Sequence, residues 1–267
     1  LSFLLETMMS YGLAYQEHQS LREQQLQLKS EISVAAKMQK TLLSTGKPNI
    51  PGIDIGVISV PANQMNGDYY QFVTDHENNF GVAIADVIGK GIPAALAMSM
   101  IKYSMDSFEE NQRNPSAILR NLNRVVERNV DAGMFITMFY GLYDPDSRKF
   151  HYSSAGHEPG FYYNASTCEF HDIKAKGLVL GVTGDTTYHQ YDMDINEGDI
   201  IVLLTDGVTE CRLDEEFIER NIVLDVIRKY LHLPMQQAVE QVFKHFERLQ
   251  DFQLRDDFTL IMIKKDV

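Results

Sequence analysis

Four acidic stretches share one setting. Asn66-Gly67-Asp68, Ala85-Asp86-Val87, Thr205-Asp206-Gly207 and Asp256-Asp257 each lie at the edge of an apolar strand pattern. Carboxylates gathered and half-buried repel one another, which raises their pKa values and costs stability. Something positive belongs among them. Hard divalent cations take oxygen ligands, so Mn²⁺ or Mg²⁺ suits an all-aspartate site, whereas zinc favours His or Cys. Taken singly, each aspartate is more simply a turn or cap residue. The recurrence of the setting four times is what favours the chemical reading.

The elements that would position these residues are legible around Gly81 to Ser99, GVAIADVIGKGIPAALAMS. Gly81 to Ala85 is an apolar run that suits a buried strand, and Asp86 ends it. Gly89 and Gly91 permit a tight turn, and Pro93 suits the first turn of the helix that follows. The simpler role for Asp86 is to cap that helix. Upstream, Ile53 to Val60 is a strand, 61–67 a loop, and Asp68 opens a second strand, YYQFV. Asn79 to Ala85 completes a hairpin, and an antiparallel pair brings Asp68 and Asp86 to one end of a sheet. Asn114-Pro115 starts an amphipathic helix with Ile118, Leu119, Leu122, Val125 and Val126 on one stripe. Phe135 to Tyr143 and Phe150 to Ser154 are strands around an Asp-Pro-Asp-Ser turn. SAGHEPGFYY is a loop entering a strand, Asp199 to Leu204 is a strand, and an acidic loop follows Asp206. Helices at Ile222 to Leu231 and Pro234 to Leu249 precede a last strand that Asp256-Asp257 opens.

Composition narrows the function. At 267 residues and 44% hydrophobic, the chain can bury one sizeable core and a small extra module. A net charge of −13 argues against a polyanion as the main partner, since nucleic acid needs a basic footprint. Cys168 and Cys211 make no disulfide framework and have no zinc-ligand spacing, which fits a reducing, cytoplasmic setting. No apolar stretch reaches bilayer-spanning length. The chain begins on Leu, mid-pattern, as a fragment of a longer protein would.

Residues 1–43 contain no Pro and one Gly, Gly12, and read as one long helix. Leu21, Gln25, Leu28, Ile32, Ala35, Gln39 and Leu42 alternate steps of four and three, a heptad seam diluted by two glutamines. Leu4, Met8, Tyr11, Tyr15 and His18 form a second seam, joined to the first by a three-residue step, a stammer. A parallel self-pairing coil is the expectation; a helix packed on its own domain is the plainer alternative. Ser44 to Pro51 ends the helix. The expected organisation is therefore a helical linker over 1–45 and a catalytic domain over 46–267.

The set NGD, ADVIGKGIPAA, TDGVTE and DDFTL, in this order, resembles the metal-dependent Ser/Thr protein phosphatases (PPM family), in their bacterial SpoIIE/RsbU branch. SAGHEP, FITMFYG and the EIxxAxxMQxxLL pattern of Glu31 to Leu43 resemble that branch too, and the likeness covers nearly the whole chain. Departures are Asn66, where many relatives carry Gly or Ser, and Val87, where distant relatives carry Gly. The resemblance implies an α+β fold: a sandwich of two antiparallel sheets flanked by helices, metals at one end. It implies that Asp86 bridges two divalent cations with help from the Val87 carbonyl. Asp206 and Asp256 would hold one, and Asp68 the other. Asp257 would orient Asp256 or serve in its place. Manganese is the first expectation and magnesium the second. Paired cations lower the pKa of a shared water and neutralise phosphoryl oxygens, so no covalent phospho-enzyme is needed.

The resemblance also implies a substrate and partners. The substrate would be the phosphoserine form of an anti-anti-sigma factor (RsbV-like), whose dephosphorylation activates a stress sigma factor. A serine-kinase-like activator (RsbT-like) would act through the linker helix of a homodimer. His157 is a candidate general acid, though a loop-shaping role is simpler. Gly156 and Pro159 read as turn geometry. Glu210 would hold the loop after Asp206, and Lys90 is a turn lysine within reach of substrate. Two other classes compete: an inactive dimeric scaffold, which would have lost aspartates, and a two-metal phosphodiesterase, which would want basic or aromatic groups nearby.

Overall fold

The structure is a computed structural model that describes residues 2–43, 46–74, 79–89, 91–107, 114–130, 133–213, 216–250 and 254–266. Ser44 and Lys90 lie outside the described residues, as do the side chains of Leu4 and Met8. A long helix, α1 (Ser2–Leu43), leads into β1 (Ile53–Val60), β2 (Asp68–Thr74) and β3 (Phe80–Ile88). Two helices follow, α2 (Ile92–Asp106) and α3 (Pro115–Asn129), then β4 (Phe135–Asp144), β5 (Lys149–Ala155), β6 (Phe161–Asn164), β7 (Glu169–Asp172) and β8 (Tyr191–Asp194). Strand β9 (Ile200–Leu204) runs into a single helical turn, α4 (Asp206–Thr209). A two-stranded ribbon, β10 (Arg212–Leu213) with β11 (Glu216–Phe217), occupies the acidic loop. Helices α5 (Arg220–Arg228) and α6 (Met235–Leu249) precede the last strand, β12 (Phe258–Lys265).

The two main sheets have five strands each and every pairing is antiparallel. One runs β1-β12-β9-β6-β7, the other β2-β3-β4-β5-β8. Strand alternation sorts each strand's residues between two cores. In β3, Phe80, Val82 and Ile84 join Ile55, Phe139, Ile201 and Ile261 between the sheets. Ala83, Ala85 and Val87 face the other way, onto α2 and α3. In the second sheet, Val202, Leu204, Leu260 and Met262 pack against α5 and α6. The expected helix–sheet–sheet–helix layering is what forms.

Local signals explain several boundaries. The Asn114 side chain caps α3 by accepting from the amide of Ala117 at 3.0 Å. The cap of α2 differs from expectation. Gly91, at φ 80°, takes that place without any side-chain bond, so Asp86 does not cap α2. Nor does Asp86 end its strand; β3 continues through it to Ile88.

Helix α1 divides into two parts. Residues 11–31 are exposed except for Gln19, and Leu21 and Leu28 of the lower seam are 52% and 55% exposed. From Ile32 onward, Ile32, Ala35, Ala36, Leu42 and Leu43 are half-buried and Gln39 is buried. This last part packs on α2 and β2 of its own domain. The heptad register thus ends on the protein's own surface, and Gln39 serves there rather than in a coil seam.

Candidate metal centre

The inner face of the sandwich turns polar at one end, strand by strand. The row Phe80, Val82, Ile84 continues to Asp86, and the row Phe72, Tyr70 to Asp68. Ile201 and Leu203 lead to Thr205, Ile263 and Ile261 to Thr259, and Ile55 and Val57 to Ser59. Period-two alternation alone therefore brings these side chains to the same end of the inter-sheet space. Asp68 and Asp86 lie directly opposite each other in the β2–β3 ladder, as the hairpin pattern implied.

Asp86, Asp206, Asp256 and Asp257 line one cleft of about 840 Å³, together with Gly67 and Val87. Asp206 is the first residue of α4, and Asp256-Asp257 immediately precede β12. Gly207 lets these two turns meet, since a Cβ there would lie 1.9 Å from the carbonyl oxygen of Asp257. We expect Gly207→Ala to push them apart and to cost about 1–3 kcal/mol in denaturant unfolding, the usual range for overpacking. An unfolding midpoint unchanged from wild type would refute that close approach.

Asp68 sits deeper, 2% exposed and outside the wall of this cleft. Its Oδ2 accepts from the hydroxyls of Thr205 at 2.8 Å and Thr259 at 2.6 Å. Because Thr259 donates to Asp68, it must accept from Ser59, 2.9 Å away, which in turn accepts from the Asn66 amide at 3.0 Å. A directed chain thus runs Asn66, Ser59, Thr259, Asp68. Asn66 also accepts from the amide of Asp68 at 3.0 Å, so the departure from Gly or Ser at this position is part of the support.

The two adjacent aspartates separate by partner. Asp257 Oδ1 accepts from the amide of Ala62 at 2.7 Å and its Oδ2 from that of Gly67 at 2.6 Å. Both of its oxygens hold the 61–67 loop. Asp256 Oδ1 accepts from the amide of Asp257 at 3.0 Å.

The electrostatics are those of an acidic cluster. Burial, then the charges of Asp206, Asp256 and Asp257, push the Asp86 carboxyl up to about 8. Burial, then Asp256 and Glu210, push Asp206 up to about 6. Burial and then Asp86 raise Asp68 well above the carboxylate range, against the two threonine hydroxyls. Among the described residues lining the cleft, Lys29 of α1 is the one cation. The donors are all oxygens and their excess charge calls for a counter-ion, so this chain's residues fit a hard divalent cation. Among the described residues, no three such side chains are yet drawn around a single point.

The remaining described candidates do not line the cleft. His157 is buried, its Nδ1 is 2.9 Å from the Thr137 hydroxyl, and it does not line the cleft. Burial pushes its pKa down to about 4, so it is neutral near pH 7. Thr137 stands opposite Asp86 in the β3–β4 ladder. The amide of Glu210 donates to the carbonyl of Asp206 at 2.6 Å, and closes the α4 turn.

A family model, Stage II sporulation protein E (SpoIIE), matches residues 76–266. The chain belongs to the SpoIIE family. Across 267 residues it is 56% identical to the phosphoserine phosphatase RsbU of Bacillus subtilis (strain 168), covering all of this chain and 79% of that one. The SiaA-PP2C domain of Pseudomonas aeruginosa superposes with a TM-score of 0.77 at 18% identity, over 91% of this chain and 98% of that one. The catalytic domain of serine threonine protein phosphatase PstP, solved with two manganese ions, gives 0.59 at 13% identity, over 80% and 99%. The two solved structures bear on the fold. The SpoIIE-family match and the likeness to RsbU make this chain a protein-serine/threonine phosphatase.

Reasoning from sequence missed Gln39 as a site neighbour, and Thr205, Thr259 and Ser59 as partners around Asp68. The signal was present for the last three: each is the polar residue that ends an alternating apolar row.

Proposed function

We propose that this chain removes phosphate from the phosphoserine of an anti-anti-sigma factor, using paired divalent cations held in the aspartate cleft. The observation that carries the reading is the cluster of Asp86, Asp206, Asp256 and Asp257 in one cleft, where Lys29 is the one cation among the described lining residues. When bound, such cations supply Lewis acidity at the phosphoryl oxygens and a water of lowered pKa. Manganese is the first choice, in line with the manganese in the PstP structure, and magnesium the second.

The roles divide by position. Asp86, near the C-terminal end of β3, would hold both cations, with the Val87 carbonyl beside it. Asp206 and Asp256 would hold one. Asp68, oriented by Thr205 and Thr259, would hold the other. Asp257 has both oxygens on main-chain amides, so it fixes the loop while Asp256 ligates. Cation binding must displace the protons that Asp86 and Asp206 retain, so affinity rises with pH.

Residues 1–45 form the regulatory linker of this reading, and 46–267 the phosphatase domain. The exposed Leu21 and Leu28 offer a surface for self-pairing and for a serine-kinase-like activator. Likeness to RsbU supports the substrate and the activator, and so a role in activating a stress sigma factor. The test is phosphate release from phosphorylated anti-anti-sigma factor with Mn²⁺, with and without the kinase-like protein. Release should need the cation and rise with the partner. Equal or greater release from a cyclic dinucleotide would favour a phosphodiesterase instead, and no release from either would favour a scaffold. Among the described residues no helix is long and apolar enough to cross a membrane.

A further inference from the structure

Asp86 has a neighbour in register on each side of its strand. The ladders place Asp68 of β2 and Thr137 of β4 directly opposite it. Asp68 reaches the facing sheet through the hydroxyls of Thr205 and Thr259. The counterpart on the Thr137 side is His157. The Thr137 hydroxyl lies 2.9 Å from His157 Nδ1 and 3.4 Å from the Asp86 carbonyl oxygen. A hydroxyl has one proton to give, and the shorter contact takes it. We therefore assign the ring's own proton to Nε2.

Two local features put the ring there. Gly156, at φ 67°, turns the chain off the end of β5, and the His157 amide donates to the Ser154 hydroxyl at 3.2 Å. On the far side is the end of β9. Thr205 donates its amide to Thr259 of β12. Leu204, one residue back, must therefore turn its carbonyl the other way, toward β6. But the β6 pairing stops at Val202. The Leu204 carbonyl meets the 156–160 turn instead, and it favours a proton on the His157 ring. Burial outweighs that effect and keeps the ring neutral. Nε2 itself is buried and closes no full hydrogen bond. An imidazole thus stands where a strand partner is missing, beside the carbonyl two residues before Asp206.

We propose that His157 is a positioning residue for the aspartate cleft: wedged between Thr137 and the Leu204 carbonyl, it sets the spacing of Asp86 and Asp206 across the two sheets, and so the affinity for cations. The proposal rests on the reading that the cleft binds divalent cations. It gives His157 no contact with substrate and no proton transfer, since the ring does not line the cleft. Nor does the cation-free fold depend on the ring's polarity, because an unsatisfied buried nitrogen costs stability rather than adding it. Fold and site therefore respond differently to its removal.

The test compares wild type, His157→Phe and His157→Gln, with His171→Phe, exposed on β7, as control. Mn²⁺ binding to the full chain is followed by electron paramagnetic resonance without substrate, and melting of the cation-free protein by calorimetry. Phenylalanine fills the space and removes both polar contacts. Glutamine returns an N–H near the place of Nε2. Groups that orient metal ligands are worth 10–100-fold in affinity. His157→Phe should therefore bind Mn²⁺ about tenfold more weakly or worse, yet melt no lower than wild type. His157→Gln should recover part of that loss, and His171→Phe should match wild type. A smaller loss in His157→Phe, a loss that comes with a lower melting temperature, or a glutamine variant no better than phenylalanine overturns the proposal alone. Absence of Mn²⁺ binding by the wild type overturns the cation reading and the proposal with it. Should His157→Phe not fold, Thr137→Val decides, since it cuts the same contact from the other side. It must weaken Mn²⁺ binding by about tenfold, and wild-type binding in that variant overturns the proposal.

Discussion

Asp86→Asn is expected to abolish Mn²⁺-dependent phosphate release and, in the same molecule, to raise the melting temperature of the cation-free protein. Both effects have one cause. Asp86 lies where β3 meets the charges of Asp206, Asp256 and Asp257, and its pKa of about 8 records the cost of ionising it there. Asparagine keeps its shape and removes the charge. The cation-free cluster loses its central repulsion, so the protein should melt several degrees higher at pH 8, on the order of 5 °C for a domain of this size. On the proposed reading, the same change removes the ligand that two cations would share. Outer partners of metal ligands are already worth 10–100-fold, so this loss should exceed about a hundredfold. Phosphate release and calorimetry on one preparation check both halves. A loss below tenfold would remove Asp86 from the bridging role. A lower melting temperature would mean that the carboxylate supports the fold rather than straining it.

This pairing of strain and function explains what the sequence could and could not show. Asp68 and Asp86 were legible as neighbours because a hairpin register follows from chain pattern, and the ladder places them opposite each other. Asp206 and Asp256 were legible as strand-edge residues, and the sheet order brings β9 and β12 side by side. The division of labour between Asp256 and Asp257 was not legible, because it depends on where two amides of a distant loop point. Gln39 was misplaced for a related reason. Its heptad position is real, but a helix surface does not say which of two partners covers it. Here the domain's own loop covers it, while Leu21 and Leu28 of the same seam stay exposed. Residues 212–213 and 216–217, read as part of an acidic loop, pair as a two-stranded ribbon too short for any periodic signal.

Acidity should stabilise the cation-free protein across the range where most proteins are indifferent. Asp206 and Asp86 hold their protons to about 6 and about 8 in the folded state, against an ordinary 3.8 that the unfolded chain regains. Over that interval the folded state carries the extra protons, so stability falls as pH rises. His157 works the other way, because burial keeps it neutral down to about 4, but its opposition ends above the ordinary 6.5. The clean window is therefore pH 6.5 to 8.5: the buried Asp68, raised in the same direction, adds to the fall, and Asp86 titrates through the window. Its shift is worth up to about 2 kcal/mol there, or roughly 5 °C. Manganese should reverse the trend. A ligand of the folded state stabilises by its occupancy, and this one must displace those same protons. With EDTA the melting temperature should drop between pH 6.5 and 8.5; with millimolar Mn²⁺ the drop should shrink or invert. In Asp86→Asn both the drop and its rescue should shrink. A Mn²⁺-induced rise in melting temperature equal at both pH values would mean that the ion binds without displacing a proton from Asp86, and would place it elsewhere on the molecule.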